Sequence, residues 1–131
     1  MTSDKIIAVW IDHANARIFE LKANKLLNSY QEESNVDFKR TNLDQSKDAL
    51  QEVQKEELKQ YYARIESLLQ NADNVLLMGP GLAKTDLIAH IKKKGSLKGV
   101  NIISVSQDSI TDNQIIQLAQ KEMKWELKHL L

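Results

Sequence analysis

Gly79-Pro80-Gly81-Leu82-Ala83-Lys84-Thr85 follows the apolar run Val75-Leu76-Leu77-Met78 and precedes a helical pattern, the setting of a phosphate-binding loop. Such a loop needs four residues between its first glycine and the Gly-Lys pair, so that successive N–H groups wrap a phosphate. Here the spacing is one short, and Ala83 stands where the second glycine belongs, which speaks against a nucleoside triphosphatase. Two readings stay open. Gly79, Gly81 and Lys84 with the helix N-terminus could hold a phosphate of RNA or another anion. Alternatively, the glycines only make a tight strand-to-helix turn.

Asp12 closes the apolar run Ile6–Ile11, where a nuclease of the ribonuclease H type would place a metal carboxylate. Two-metal chemistry needs several carboxylates converging on ions about 4 Å apart. Asp73, Asp86 and Asp108 lie near element ends, but no spacing marks them as partners. The plainer expectation for Asp12 is a turn residue accepting the N–H of Ala14 or Asn15. His13, His90 and His129 show no paired spacing for a metal on one helix face, and His13 reads as an exposed turn residue. No serine sits in a nucleophile elbow. The chain has no cysteine, which excludes disulfides, thiolate zinc sites and cysteine nucleophiles. The expectation is therefore no catalytic residue, no metal and no cofactor.

Lys92, Lys93 and Lys94, with Lys98 nearby, form the one concentrated basic cluster, and Lys39-Arg40 forms a smaller one. Either could contact RNA phosphates; the alternative is helix capping and solubility. No aromatic residue is interleaved with these cations, so a stacking platform for single-stranded RNA is not evident.

The elements that must position these residues can be read from periodicity. Ile6–Ile11 is a β-branched run of the kind covered on both faces, Asp12–Asn15 supplies turn-formers, and Arg17–Lys22 alternates polar and apolar. Ala23-Asn24 suits a second turn into a third strand over Lys25–Tyr30. Gln31 to Thr41 is polar, with Val36 and Phe38 as its only apolar anchors, and reads as a loop.

A long helix follows, capped by Asn42 with Gln45 or by Asp44, and carrying Leu50, Val53, Leu58, Tyr61, Ile65, Leu68 and Leu69 along one face. Asn74–Met78 is a strand. The next helix places Leu87, Ile88 and Ile91 on one face and ends at Lys92-Lys93-Lys94-Gly95, cations over the negative helix end and then a left-handed cap. Val100–Val105 is the last strand. Thr111 with Gln114 forms a capping box, and Ile110 with Ile115 a hydrophobic staple, at the start of a helix continuing through Ala119, Met123, Leu127 and Leu130.

The order β-β-β-α-β-α-β-α predicts an α/β fold, a mixed sheet flanked by helices. At 131 residues, with 42% hydrophobic and 27% charged, one domain spanning 1–131 with one core is expected. Eighteen Lys+Arg balance 18 Asp+Glu, which excludes a polybasic protein held to nucleic acid by bulk charge. No apolar run approaches a bilayer span, and MTSDKIIAVWIDH lacks the form of a secretion signal, so a soluble cytoplasmic protein with no membrane partner is expected.

Two stretches, VWIDHANARIFEL (Val9 to Leu21) and LLMGPGLAKTDLIAHIKKK (Leu76 to Lys94), resemble the small bacterial proteins labelled translational machinery protein. These look like free-standing relatives of the middle domain of archaeal and eukaryotic class 1 release factors and of pelota. ISVSQDSITDNQIIQLA (Ile103 to Ala119) extends the resemblance over nearly the whole chain. It implies a ribonuclease H-like α/β architecture and a ribosomal setting. In the release factor, the loop before the long helix carries Gly-Gly-Gln, which promotes peptidyl-tRNA hydrolysis. The equivalent stretch here, Gln31 to Lys47, contains no glycine, so no catalytic residue carries over.

Two functions follow as expectations. The first is a non-catalytic, ribosome- or tRNA-associated protein without peptidyl-tRNA hydrolysis. The alternative is a homo-oligomeric interaction module. It would use the C-terminal helix, whose Trp125, Leu127, Leu130 and Leu131 make an apolar tail, or the polar loop.

Overall fold

Residues Ile7, Val9 and Ile11 face one way from the first strand, and Ala8 and Trp10 face the other; all are buried. That is why the run reads as continuously apolar rather than alternating: both faces of the sheet are covered. The computed structural model describes residues 5–23, 25–36 and 47–130, with side chains for these except 47–51 and 123–130. Phe38, Lys39, Arg40 and the cap candidates Asn42, Asp44 and Gln45 lie outside the described residues. So do Leu131 and the side chains of Leu50, Met123, Trp125, Leu127, His129 and Leu130.

The elements are β1 (Lys5–Ile11), β2 (Asn15–Lys22), β3 (Lys25–Glu33), α1 (Lys47–Leu68), β4 (Asn74–Gly79), α2 (Ala83–Lys94), β5 (Asn101–Ser106) and α3 (Asp112–Leu130). They form one five-stranded mixed sheet in the order β3-β2-β1-β4-β5. The hairpin partners β1, β2 and β3 are antiparallel, while β1, β4 and β5 run parallel. Helices α1 and α2 cover one face, with Tyr61, Ile65, Leu69, Leu87 and Ile91 packed on Ile7, Val9, Ile11, Ile18, Val75 and Leu77. Helix α3 covers the other, with Ile115 and Ala119 packed on Ala8, Trp10, Phe19, Leu21, Leu76 and Met78. The expected α/β architecture and element order are those observed.

The polar stretch differs at its start. Gln31, Glu32 and Glu33 are not loop but continue β3, opposite Arg17, Ala16 and Asn15. An edge strand needs only the backbone ladder on one side, so its side chains carry little apolar signal. Its register also slips once. Glu20 pairs with Asn28 and Leu21 with Leu26, leaving Leu27 as an extra residue.

The start of α3 matches its pattern. Gln114 Oε1 accepts the Thr111 N–H at 2.9 Å, and Thr111 Oγ1 accepts the Gln114 N–H at 3.2 Å. Ile110 and Ile115 both join the core beneath it. At the end of α2, Gly95 takes the left-handed conformation (φ 68°), and its N–H reaches the last helical carbonyls.

Helix α1 is longer than the sheet it covers. The Tyr61 hydroxyl donates to the Asp12 carbonyl at 2.9 Å, at the carboxyl end of β1. Leu58, one turn earlier, still packs against the core, and the helix begins eleven residues before it, so its first turns continue beyond that end. Burial follows the same division. Residues 52–60 are exposed or half-buried, whereas Tyr61, Tyr62, Ile65, Glu66 and Leu69 are buried.

Candidate functional site

In open sheets with parallel strands, ligands bind at the carboxyl ends of those strands. Here that end gathers the β1–β2 turn, the Gly79–Leu82 turn, the β5–α3 loop and the exit of β3 toward α1. A cleft of about 400 Å³ opens among Trp10, Asp12, Arg17, Glu32, Glu33 and Ser109. A second, of about 390 Å³, lies between Pro80-Gly81 and Ser106-Gln107-Asp108.

The carboxylate of Asp12 is committed to its turn. Its Oδ1 accepts the Ala14 N–H at 2.8 Å and the Asn15 N–H at 2.6 Å. Burial, reinforced by the nearby Asp12 charge, pushes the Tyr61 phenol well above its ordinary range, which keeps it a protonated donor. His13 is more than an exposed turn residue. Its Nε2 lies 3.2 Å from Asp86 Oδ2 and ties the β1–β2 turn to the first turn of α2. The Tyr62 hydroxyl reaches the same oxygen at 3.5 Å. Among the described residues, no three His, Asp or Glu side chains converge on a point where a metal ion would sit.

The glycine turn has a packing reason. At Gly79 (φ 146°) a Cβ would collide with the Ile11 carbonyl, so only glycine lets the end of β4 pass this close to β1. Gly81 (φ 65°) supplies a left-handed turn residue with open space around it. Lys84 is 7% exposed, and its ammonium donates to the Gly81 carbonyl at 3.0 Å. The cation expected to face an anion is thus folded back into the turn. The first turn of α2 begins at Leu82 without a side-chain cap.

Lys92, Lys93 and Lys94 are exposed at the opposite end of α2, near the amino ends of the strands. The length of a twelve-residue helix, about 18 Å, separates them from the glycine turn. Among the described residues, the structure therefore does not bring Gly79, Gly81 and Lys84 together with Lys92, Lys93 and Lys94.

A pairing between Trp10 and Arg17 escaped the sequence reading. These residues stand opposite each other across β1 and β2, and the Arg17 guanidinium lies 5.0 Å from the indole centroid. Arg17 also donates to Asp112 Oδ1 and to the Ile110 carbonyl, each at 2.8 Å. The Trp10 Nε1–H donates to the Asp108 carbonyl at 3.2 Å. Together they lock the β5–α3 loop over the cleft. The available signal was the hairpin register, which a tight Asp12–Asn15 turn fixes.

No protein-family model matches the chain, and no curated protein matches it in sequence. Solved structures do match. Against Pelota from Archaeoglobus fulgidus the TM-score is 0.59 at 15% identity, covering 90% of this chain and 31% of that one. Against Pelota from Thermoplasma acidophilum it is 0.57 at 19% identity, covering 88% and 31%. An archaeal translation termination factor gives 0.51 at 15% identity, covering 96% and 41%. The chain thus spans about a third of the length of these proteins. It is a single α/β domain whose fold resembles the middle domain of Pelota and of the archaeal termination factor.

Proposed function

We propose that this protein is a non-catalytic, ribosome- or tRNA-associated factor, of the kind represented by the bacterial translational machinery proteins, acting in the cytoplasm. The supporting observation is the fold shared with a translation termination factor, combined with a Gln31–Lys47 stretch that contains no glycine. Peptidyl-tRNA hydrolysis in the release factor depends on Gly-Gly-Gln in the equivalent loop, so this chain binds without releasing peptide.

The geometry gives the proposal a direction. The chain leaves the sheet at the end of β3 and returns down α1, whose first half continues past the carboxyl end of the sheet. The sequence between these two elements includes Lys39 and Arg40. Phosphate contacts by such cations position a protein on RNA without reading sequence.

Co-sedimentation with ribosomes, alongside peptide release from stalled complexes, tests this reading. Association without release supports it. Absence of association, or release that titrates with the protein, overturns it.

A further inference from the structure

Strands β3 and β5 form the two edges of the sheet, and they are built differently. Strand β3 is guarded: it carries Lys25, Glu32 and Glu33, it bulges at Leu27, and its Glu33 carbonyl accepts from Arg64 Nη2 at 2.6 Å. Charges, bulges and covered backbone groups keep an edge from pairing with another chain. Strand β5 has none of these. It reads NIISVS, without charge or proline, and pairs residue for residue with β4.

The bonds at the two ends of β5 show which of its groups are left open. The Asn101 N–H donates to the Asp73 carbonyl at 3.2 Å, and the Gln107 N–H to the Gly79 carbonyl at 3.3 Å. Alternate residues of a strand bond to the same neighbour, so Asn101, Ile103, Val105 and Gln107 are bonded to β4. Ile102, Ser104 and Ser106 direct their N–H and C=O groups outward, and Ser104 and Ser106 are exposed. Among the described residues, no other element hydrogen-bonds to these outward groups. Ile103 and Val105 face α3 and are only partly buried there.

We propose that the β5 edge is a self-association surface, on which two copies of the chain pair β5 antiparallel about a two-fold axis at Ser104, merging their sheets into one of ten strands. A second copy fits because the edge is its own complement. With Ser104 opposite Ser104, Ile102 of each copy lies opposite Ser106 of the other. All three outward residues then meet outward residues as hydrogen-bonded pairs. Moving the axis by one residue, to Ile103 or Val105, leaves one of the three facing a residue outside the strand. The Ser104 register also sets Ile103 of each copy beside Val105 of the other, on the face that α3 covers. These are non-hydrogen-bonded pairs, where side chains stand closest, and β-branched pairs there stabilise a sheet. The two-fold axis makes the contact twice. No charged residue lies between Asn101 and Gln107, so no like charges oppose one another along the pairing. This interface is independent of ribosome binding and differs from the C-terminal helix and the polar loop expected from sequence.

Ser104 lies on the axis and is exposed, so replacing its side chain leaves the core untouched. In sedimentation equilibrium the wild type is expected to dimerise. Ser104→Lys and Ser104→Glu each set like charges face to face and should weaken the dimer about fivefold, the upper end for one cross-strand pair. An equimolar mixture of the two variants should recover wild-type affinity, since each then meets the opposite charge. Ser104→Pro removes an outward N–H without touching the β4 ladder, and should give a monomer with the circular dichroism of the wild type. The chain has no cysteine, so Ser104→Cys introduces a single thiol. A short bis-maleimide should couple two copies through it, and should not couple Ser29→Cys on the β3 edge. A wild type that stays monomeric at millimolar concentration overturns the proposal and leaves the edge to an extended segment of another protein. So does a dimer indifferent to Ser104→Lys, one that the mixture fails to restore, or one that couples through position 29 rather than 104.

Discussion

The ammonium of Lys84 sits 3.0 Å from the carbonyl oxygen of Gly81, three residues earlier, and the side chain is buried. The lysine therefore closes the β4–α2 turn from within. Lys84→Met keeps the aliphatic packing and leaves the Gly81 carbonyl without its donor, and should lower stability by about 1–2 kcal/mol. Affinity for inorganic phosphate or RNA should not change. Denaturant unfolding and a phosphate titration check both arms.

Gly79 and Gly81 answer to different constraints and should respond differently to alanine. Gly79→Ala drives a methyl into the Ile11 backbone and is expected to cost more than about 3 kcal/mol or to prevent folding. Gly81→Ala meets only the penalty of a left-handed residue, about 1 kcal/mol. The difference in denaturation midpoint between the two variants is the measurement.

His90 lies between α1 and α2, with its side chain 11% exposed and Nε2 3.8 Å from Glu66 Oε2, an oxygen that already accepts the Ser96 hydroxyl at 2.8 Å. Burial pushes its pKa below the ordinary 6.5; Lys94, Lys59 and Lys93 act the same way, and Glu66 opposes them. The unfolded chain then binds the proton more readily than the folded one. This group leaves stability unchanged above about pH 6.5 and lowers it as pH falls below that value, until the folded form also protonates. His90→Gln should flatten that part of the stability–pH curve between pH 7.5 and 5.5, measured by urea unfolding at each pH, relative to the wild type.

Lys92, Lys93 and Lys94 are exposed, and Gly95 caps the helix through backbone bonds. Replacing all three lysines with glutamine should change stability by less than about 1 kcal/mol, since each contributes only a surface interaction with the helix dipole. If these cations meet ribosomal RNA, association in co-sedimentation should weaken and its salt dependence should shallow. Unchanged association assigns them to helix capping alone.

Lys39 and Arg40 fall, in sequence, between β3 and α1. Replacing Phe38, Lys39 and Arg40 with alanine is expected to leave the melting temperature nearly unchanged, because none fits the core pattern, and to weaken ribosome association. Unfolding would make the segment a packed structural element. Intact stability with intact association would make it a connector.

Much of the architecture was legible without coordinates because its causes are local. The continuous apolar runs Ile6–Ile11 and Val75–Met78 announce strands covered on both faces. Asp12 two residues before Ala14, Thr111 three before Gln114, and Gly95 after three lysines are signals that act within one turn, and each appears in the structure as a bond or a cap. The extent of β3 was hidden because an edge strand buries little, so Gln31–Glu33 carry loop chemistry while their backbones pair with β2.

The fate of the candidate site was decided by tertiary structure alone. Sequence places Lys84 beside a helix N-terminus, where an outward cation would meet an anion, but it cannot say which way a flexible four-carbon stem turns. Packing turned it inward, onto Gly81. Sequence likewise gives Gly79 a turn and cannot show Ile11 beside it, because the two are joined only by the parallel pairing of β1 with β4. Trp10 and Arg17 meet for the same kind of reason, through strand register. Local bonds follow from residue type and spacing; contacts between distant segments follow from how the sheet is assembled.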